Sequence, residues 1–147
     1  MRELVEGIGA SARAVTAEEA AEFGEVILLA IPWRRREELP DGQLFAGKVV
    51  IDAMNPYGDG GVIDVEPSTS SEEVARLMPD ARLVKALNTI YFRRLLENGR
   101  PHAPLGEREV IFVAGDDDVA NPFPPTSKAS QVRPQVTLRR ARRIRAP

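Results

Sequence analysis

Cysteine is absent from this chain, and several other features that mark common classes of protein are missing or scarce. Without cysteine the chain forms no disulfide bond and carries out no thiol chemistry, which suits a reducing cytoplasm. No apolar run approaches the roughly 18 residues that a membrane-spanning helix needs, and no secretory signal opens the sequence. At 147 residues the chain is long enough for one domain with a sizeable core, and we expect it to be cytoplasmic.

Side chains in a pattern that suits acid–base or metal chemistry are also few. The single histidine, His102, lies between Pro101 and Pro104, a loop setting that favours a surface residue over a catalytic base. The acidic run Asp116–Asp118 lacks the complementary ligand spacing of a metal site, so a solvated turn or helix start is the better interpretation. Asp52, at the end of an apolar run, is interpreted as a hydrogen-bond partner of nearby backbone. We therefore predict neither a catalytic acid or base nor a metal.

Charge is distributed unevenly along the chain. Residues 1–120 carry 13 basic and 22 acidic side chains, a balance of −9, whereas residues 121–147 carry seven basic and no acidic side chains. Apolar periodicity stops at the same point, where a Pro-rich segment begins. We predict a domain over residues 1–120 and a Pro/Arg-rich tail over residues 121–147. The tail arginines fit an acidic partner or nucleic acid, but the lack of interleaved aromatic side chains favours a disordered, solvated tail.

Continuous apolar runs predict the strands. The first two, within residues 25–33 and 48–56, show no alternation of polar and apolar residues, which is typical of strands buried on both faces of a parallel sheet. Residues 34–47 between them are long and charged enough for a crossover helix with its loops. Further apolar runs at residues 83–87 and 110–114 predict two more strands. This arrangement predicts an α/β fold with a parallel sheet.

Helix-start signals separate these runs. Thr16–Glu19 and Ser70–Glu73 form two predicted capping boxes, each followed by a short helix. We expect Gly24 and Pro79 to end those helices. The remaining short elements are predicted as the end of a helix over residues 1–6, a very short strand over 13–15, a loop over 60–70 and a helix over 91–96.

Small or polar residues follow the predicted strands. The four segments are Ala30–Trp33, Asp52–Pro56, Ala86–Thr89 and Ala114–Asp116. Carboxyl ends of parallel strands meet at one edge of a sheet, and ligands of open α/β sheets bind there. Small residues allow a flat ring or a ribose to approach the backbone, while Asn and Thr bind amide and hydroxyl groups. Residues of these types also simply turn the chain, but four such ends in succession favour a binding edge.

These segments, in this order and at this spacing, resemble the NADPH-dependent F-420 (deazaflavin) reductase family of Rossmann-fold NADP oxidoreductases. The resemblance extends over about residues 1–120 and implies a three-layer Rossmann-like parallel sheet. It implies hydride transfer between NADP(H) and F-420 or a similar flavin-like or other small acceptor. The cofactor-binding residues that it implies are Ala30, Ile31, Pro32, Trp33, Asn55, Pro56, Ala86, Asn88 and Thr89. For Trp33, packing over the sheet edge is the favoured role.

The resemblance also predicts what the fold lacks. The family's first βαβ portion, with its Gly-rich turn, aligns before Met1, and its C-terminal helix and strand are replaced by the tail. We therefore expect an incomplete sheet, truncated at both ends, without the turn that presents backbone N–H groups to a pyrophosphate. Two functions follow: an NADP-dependent oxidoreductase, or a catalytically silent interaction or assembly module. Either one can form a homodimer through an unpaired edge.

One motif leaves an alternative open. Gly7–Ala12 fits the pattern G-x-G-x-x-A, and Arg34–Arg36 after the next strand would suit a 2′-phosphate. Only Leu4 and Val5 are available as a preceding strand, and residues 13–16 break the helix that should follow. The favoured interpretation is therefore a helix C-cap at Gly7 or Gly9.

Overall fold

The structure is a computed structural model that describes residues 2–98, 102–104, 107, 109, 111–115 and 139–140. Its α-helices are α1 (Arg2–Ile8), α2 (Ala17–Phe23), α3 (Ser70–Leu77) and α4 (Phe92–Glu97). Its strands are β1 (Val26–Leu29), β2 (Val49–Asp52), β3 (Tyr57–Gly58), β4 (Gly61–Val62), β5 (Arg82–Ala86), β6 (Phe112–Ala114) and β7 (Arg139–Arg140). Two 3₁₀ helices, Trp33–Glu38 and Gly42–Phe45, connect β1 to β2. Among the described residues, no helix combines the length and the apolar character that crossing a membrane requires.

The main sheet has the strand order β1-β2-β5-β6-β7. Strands β1, β2 and β5 are parallel, and Leu29, Asp52 and Lys85 lie side by side in register near their carboxyl ends. A two-stranded antiparallel hairpin, β3–β4, follows β2. The fold is therefore mixed α/β with a predominantly parallel sheet, which confirms the predicted Rossmann-like class.

The predicted parallel sheet contains an antiparallel pairing, at β6. This strand runs antiparallel to β5, with Lys85 opposite Ala114 and Ala86 opposite Val113. A parallel neighbour needs a crossover that carries the chain back to the opposite end of the sheet. The described helix between β5 and β6 is α4, whose six residues span only about 9 Å. An antiparallel strand begins where its neighbour ends and needs no such return.

One part of the basic tail lies within the described residues. Arg139 and Arg140 form β7, which pairs with β6 in parallel so that Phe112 is opposite Arg139. The rest of residues 121–147 lies outside the described residues, as does Asp116–Asp118. For the residues of the tail outside Arg139–Arg140, disorder therefore stays a prediction.

The main core covers one face of the sheet. Ile27, Val50 and Leu83 are in register across β1, β2 and β5 and contribute to this face. The buried residues of the cluster are Ala21, Leu29, Trp33, Phe45, Val50, Met54, Val74 and Met78. They come from α2, α3, both 3₁₀ helices and the sheet, so burial of this apolar cluster fixes those elements against one another.

Capping boxes start two of the helices. The first is confirmed: the Thr16 side chain accepts from the Glu19 N–H, the Glu19 carboxylate accepts from the Thr16 N–H, and Gly24 caps the end of α2. The second box begins one residue earlier than predicted, with Thr69 and Glu72 as its partners instead of Ser70 and Glu73. Thr69 has the extended backbone of an N-cap, which frees Ser70 to begin the helix.

Three connections differ from the prediction. Residues 34–47 form two 3₁₀ helices instead of an α-helix, because Pro40 lacks the N–H that a continuous helix would use. Residues 13–15 form no strand. Part of the predicted 60–70 loop belongs to the β3–β4 hairpin, whose two-residue turn is Asp59-Gly60. Such Asp-Gly turns favour hairpins.

The Gly7–Ala12 motif does not form a phosphate-binding turn. Residues 2–8, which would have to include the preceding strand, are the helix α1. Gly9 follows this helix with φ at 90° and donates its N–H to the Val5 carbonyl at 2.9 Å. This is the C-cap geometry that glycine favours, so the C-cap interpretation is confirmed at Gly9.

Gly42 provides a test of the packing between the second 3₁₀ helix and α3. A Cβ atom built on Gly42 would lie 2.2 Å from the Leu77 carbonyl oxygen, which is backbone and cannot rotate away. We expect Gly42→Ala to lower the free energy of unfolding by about 1–3 kcal/mol in urea denaturation. Gly60→Ala is the matched control, since a Cβ there meets nothing within 4 Å. Equal stability of the two variants would contradict the close approach.

Candidate cofactor-binding edge of the sheet

The register of the parallel strands brings three predicted segments to one edge. Leu29, Asp52 and Lys85 are in register, so the chain leaves β1, β2 and β5 at the same level. The Ala53 N–H donates to the Leu29 carbonyl at 3.0 Å, which extends the β1–β2 ladder one residue beyond β2. The segments Ala30–Trp33, Asp52–Pro56 and Ala86–Thr89 therefore lie along a single edge.

Asn55 joins two of these segments. Its side-chain Nδ2 donates to the Asn88 carbonyl at 2.9 Å, although the two residues are 33 positions apart. Both asparagines are half-buried. Leu87, the residue before Asn88, has φ at 63°. This lies in the left-handed region, which residues other than glycine and asparagine rarely adopt. The hydrogen bond to Asn88 therefore stabilises a turn that strains the Leu87 backbone.

A buried ion pair lies directly beneath this contact. Asp52 is fully buried, and its Oδ2 accepts from Lys85 Nζ at 2.9 Å. The other carboxylate oxygen, Oδ1, accepts from the Met54 N–H at 2.9 Å, as the interpretation of Asp52 as a backbone partner predicted. Lys85 Nζ also donates to the Met54 carbonyl. The pair thus connects β5 to the first residues that follow β2.

The β3–β4 hairpin contacts the segment that follows β1. Its turn residue Asp59 accepts from Arg34 Nη1 at 2.6 Å, which joins the hairpin to the first 3₁₀ helix.

The two arginines that follow Arg34 also contact carboxylates. Arg35 donates from Nε to both Glu38 oxygens at 2.9 Å, and this hydrogen bonding lowers the pKa of Glu38. Arg36 Nη2 lies 3.7 Å from a Glu37 oxygen. All three arginines that would suit a 2′-phosphate therefore already contact carboxylates of the chain.

The predicted site residues differ in accessibility. Ala30, Pro32 and Thr89 are exposed, and Ile31, Asn55, Pro56 and Asn88 are half-buried. Trp33 and Ala86 are buried, with 2% and 6% of their surface exposed. The Trp33 ring belongs to the core cluster, and the Arg36 guanidinium carbon lies 4.9 Å from its ring centroid. The side chains of Trp33 and Ala86 are therefore buried beneath the surface of the edge, whereas the other predicted residues lie at least partly at its surface.

Exposed aromatic residues next to this edge escaped the sequence analysis. Tyr57 follows Pro56 and is 59% exposed, while Tyr91 and Phe92 come shortly after Thr89 and are 59% and 66% exposed. The Tyr91 and Phe92 ring centroids are 4.7 Å apart with an angle of 60° between the ring planes. Their positions shortly after polar strand ends could have indicated that they lie near the edge. The sequence alone, however, does not show whether an isolated aromatic side chain is exposed.

Other candidate groups do not assemble into a site. His102 is exposed in a turn, in agreement with its interpretation as a surface residue. Within the part of the chain that the structure describes, no group of three or more His, Cys, Asp or Glu side chains is arranged to hold a metal ion.

The fold is that of a Rossmann-like α/β protein, and its polar strand ends form a candidate site along one edge of the sheet. Residues 1–56 match the sequence model of a family described as NADP oxidoreductase, coenzyme F420-dependent. This match confirms the resemblance in the part of the chain that contains β1, β2 and the turn at Asn55. No protein of curated function matches the chain at a significant level.

Two solved structures share the fold. A hypothetical protein from Sinorhizobium meliloti is 25% identical with a TM-score of 0.75, over 95% of this chain and 66% of that chain. A protein from Arthrobacter sp. FB24, described as a proposed F420-dependent NADP reductase, is 22% identical with a TM-score of 0.63, over 82% of this chain and 56% of that chain. The chain thus spans just under two thirds of the first protein and just over half of the second.

The left-handed backbone of Leu87 allows a test of the turn at this edge. In the middle of a helix or strand, glycine is less stabilising than alanine by about 0.5–1 kcal/mol. At a left-handed position the order reverses, because alanine there costs about 1–2 kcal/mol. We expect Leu87→Gly to have a higher free energy of unfolding than Leu87→Ala, by about 1 kcal/mol in urea denaturation. A less stable glycine variant would show that Leu87 does not hold this conformation.

Proposed function

We propose that this chain binds NADP(H) along the carboxyl edge of β1, β2 and β5 and belongs to an NADP-dependent oxidoreductase. The reaction is hydride transfer between NADP(H) and F420 or a similar flavin-like or small acceptor. The single observation that carries the proposal is the joining of Asn55 to Asn88 across that edge, within a fold whose first 56 residues match an F420-dependent NADP oxidoreductase family.

The nicotinamide half of the cofactor fits the turns after β2 and β5. Asn55 uses its Nδ2 on Asn88, and its Oδ1 has no hydrogen-bond partner among the described residues. A carbonyl oxygen so placed accepts from the N–H of a carboxamide. The exposed Thr89 hydroxyl is suited to a ribose, and the backbone of Ala30–Pro32 extends the edge for the rest of the dinucleotide.

The proposed reaction requires alignment more than proton transfer. The nicotinamide supplies the hydride when it is bound, and the protein contributes orientation and exclusion of water. Holding two flat rings face to face accounts for most of the catalytic contribution in such a step. The exposed rings of Tyr57, Tyr91 and Phe92 provide apolar surface beside the edge for a planar acceptor.

The phosphate groups of the cofactor fit the described residues less well. Arg34 and Arg35 are paired with Asp59 and Glu38, and Lys85 is paired with Asp52. Each charge-assisted contact to a phosphate is worth about 1.5–3 kcal/mol, so the loss of two or three of them weakens a micromolar site about a thousandfold or more.

We therefore expect this chain to bind NADPH with a dissociation constant of about 1 mM or weaker. Isothermal titration calorimetry measures it directly. Asn55→Ala should weaken the binding further, whereas Asn98→Ala should not, since that amide bonds Glu109. Micromolar affinity, or equal effects of the two substitutions, would contradict this assignment of the site.

A second candidate function is an interaction or assembly module, and one observation favours it. Strand β1 is the outer strand of the sheet among the described residues, and Val26 and Leu28 beside this edge are 54% and 53% exposed. An unpaired edge with apolar side chains promotes pairing with another chain. A homodimer in sedimentation velocity that Leu28→Lys disrupts, combined with no NADPH binding, would favour the module over the oxidoreductase.

A further inference from the structure

We propose that Asp52 and Lys85 are positioning residues that hold Met54 so that the Asn55 amide meets Asn88. Neither residue belongs to the predicted binding set. The contacts stand on their own, and only their effect on cofactor binding depends on the proposed function.

The ion pair holds both backbone groups of one residue. Asp52 Oδ1 accepts from the Met54 N–H at 2.9 Å, and Lys85 Nζ donates to the Met54 carbonyl. The two side chains also bond each other at 2.9 Å, with Asp52 fully buried and the Lys85 side chain 13% exposed. Met54 itself is 2% exposed. The peptide units on both sides of Met54 are therefore fixed from β2 and from β5 at once.

The location of the pair argues against a role in stability alone. One layer further from the edge, on the same face of the sheet, Ile27, Val50 and Leu83 align across the same three strands and are all apolar. Burying two charges costs several kcal/mol per ion before their attraction is counted, and apolar replacements of similar volume are often neutral or stabilising. On this face of β2 and β5, the layer of Val50 and Leu83 is apolar, and the charged pair lies in the layer next to the edge.

Met54 transmits this constraint to the edge. The Met54 carbonyl group belongs to the peptide unit that joins Met54 to Asn55. Fixing this unit restricts the position of the Asn55 backbone, from which the side chain extends. From there Nδ2 reaches the Asn88 carbonyl at 2.9 Å, next to the strained Leu87. Loss of the pair frees the Met54 peptide units and leaves the Asn55–Asn88 bond to form without that support.

The test is the double variant Asp52→Asn/Lys85→Met, which removes both charges and leaves no buried unpaired ion. Solvent exchange of the Asn55 carboxamide protons is measured by NMR without any ligand. We expect exchange about tenfold faster than in the parent protein, which corresponds to a loss of about 1.4 kcal/mol. The Asn98 carboxamide, bonded to Glu109 at 3.2 Å, is the internal control and should not change.

Two further variants separate this role from a general loss of stability. Glu73→Gln/Arg76→Met removes the ion pair on α3 and should leave the exchange of Asn55 unchanged. Asp52→Asn alone retains an oxygen for the Met54 N–H and keeps the test available if the double variant does not fold; we expect a smaller acceleration. Unchanged Asn55 exchange in a folded variant, or equal acceleration at Asn98, would overturn the proposal.

Cofactor binding provides a second readout. If the pair acts through Asn55, then Asn55→Ala should weaken NADPH binding less in the double variant than in the parent, as measured by NMR titration at millimolar ligand. Additive effects of the two changes would overturn positioning through Asn55. No NADPH binding in any variant would refute the proposed function, and the exchange measurement would still decide the role of the ion pair.

Discussion

The alignment of β1, β2 and β5 is the constraint on which the rest of the structure depends. A shift of one residue between neighbouring strands would exchange the faces on which their side chains lie. Leu29, Asp52 and Lys85 would then no longer share a layer, and the ion pair could not form. The same alignment brings three strand ends to one level. The packing, the buried ion pair and the common level of the strand ends are therefore consequences of one hydrogen-bonded register.

The sequence was most informative where the signal was local. Apolar runs identified the positions of β1, β2 and β5, but the prediction that the first two are buried on both faces is wrong for β1, where Val26 and Leu28 are 54% and 53% exposed. Thr16 and Glu19 predicted a helix start correctly, since both partners of the box lie within one turn. Thr69 was missed by one position because Thr69, Ser70 and Ser71 are all suitable caps. The Asp59-Gly60 hairpin was not predicted, and residues 60–70 were expected to form a loop.

Contacts between distant residues were beyond such reasoning. The Asn55–Asn88 and Asp52–Lys85 bonds each join residues 33 positions apart, and their geometry depends on strand pairing that no short motif encodes. The direction of β6 depends on the path of the chain between β5 and β6, and apolar periodicity carries no information about that path. Predicted site residues gathered at one edge because strand ends do so in any parallel sheet. Which of them would be buried, as Trp33 is, required the packed structure.

Because β6 runs antiparallel to β5, it begins at the edge of the sheet that carries the candidate site. Ala86 is opposite Val113, so the chain enters β6 beside the end of β5 and leaves it toward the other side. Ile111, just before the strand, is buried and anchors this entry. Surface loops accept insertions and substitutions far more readily than the elements they connect. Substitutions or insertions before β6 would therefore alter the surroundings of this edge while leaving the pairing of β1, β2 and β5 unchanged.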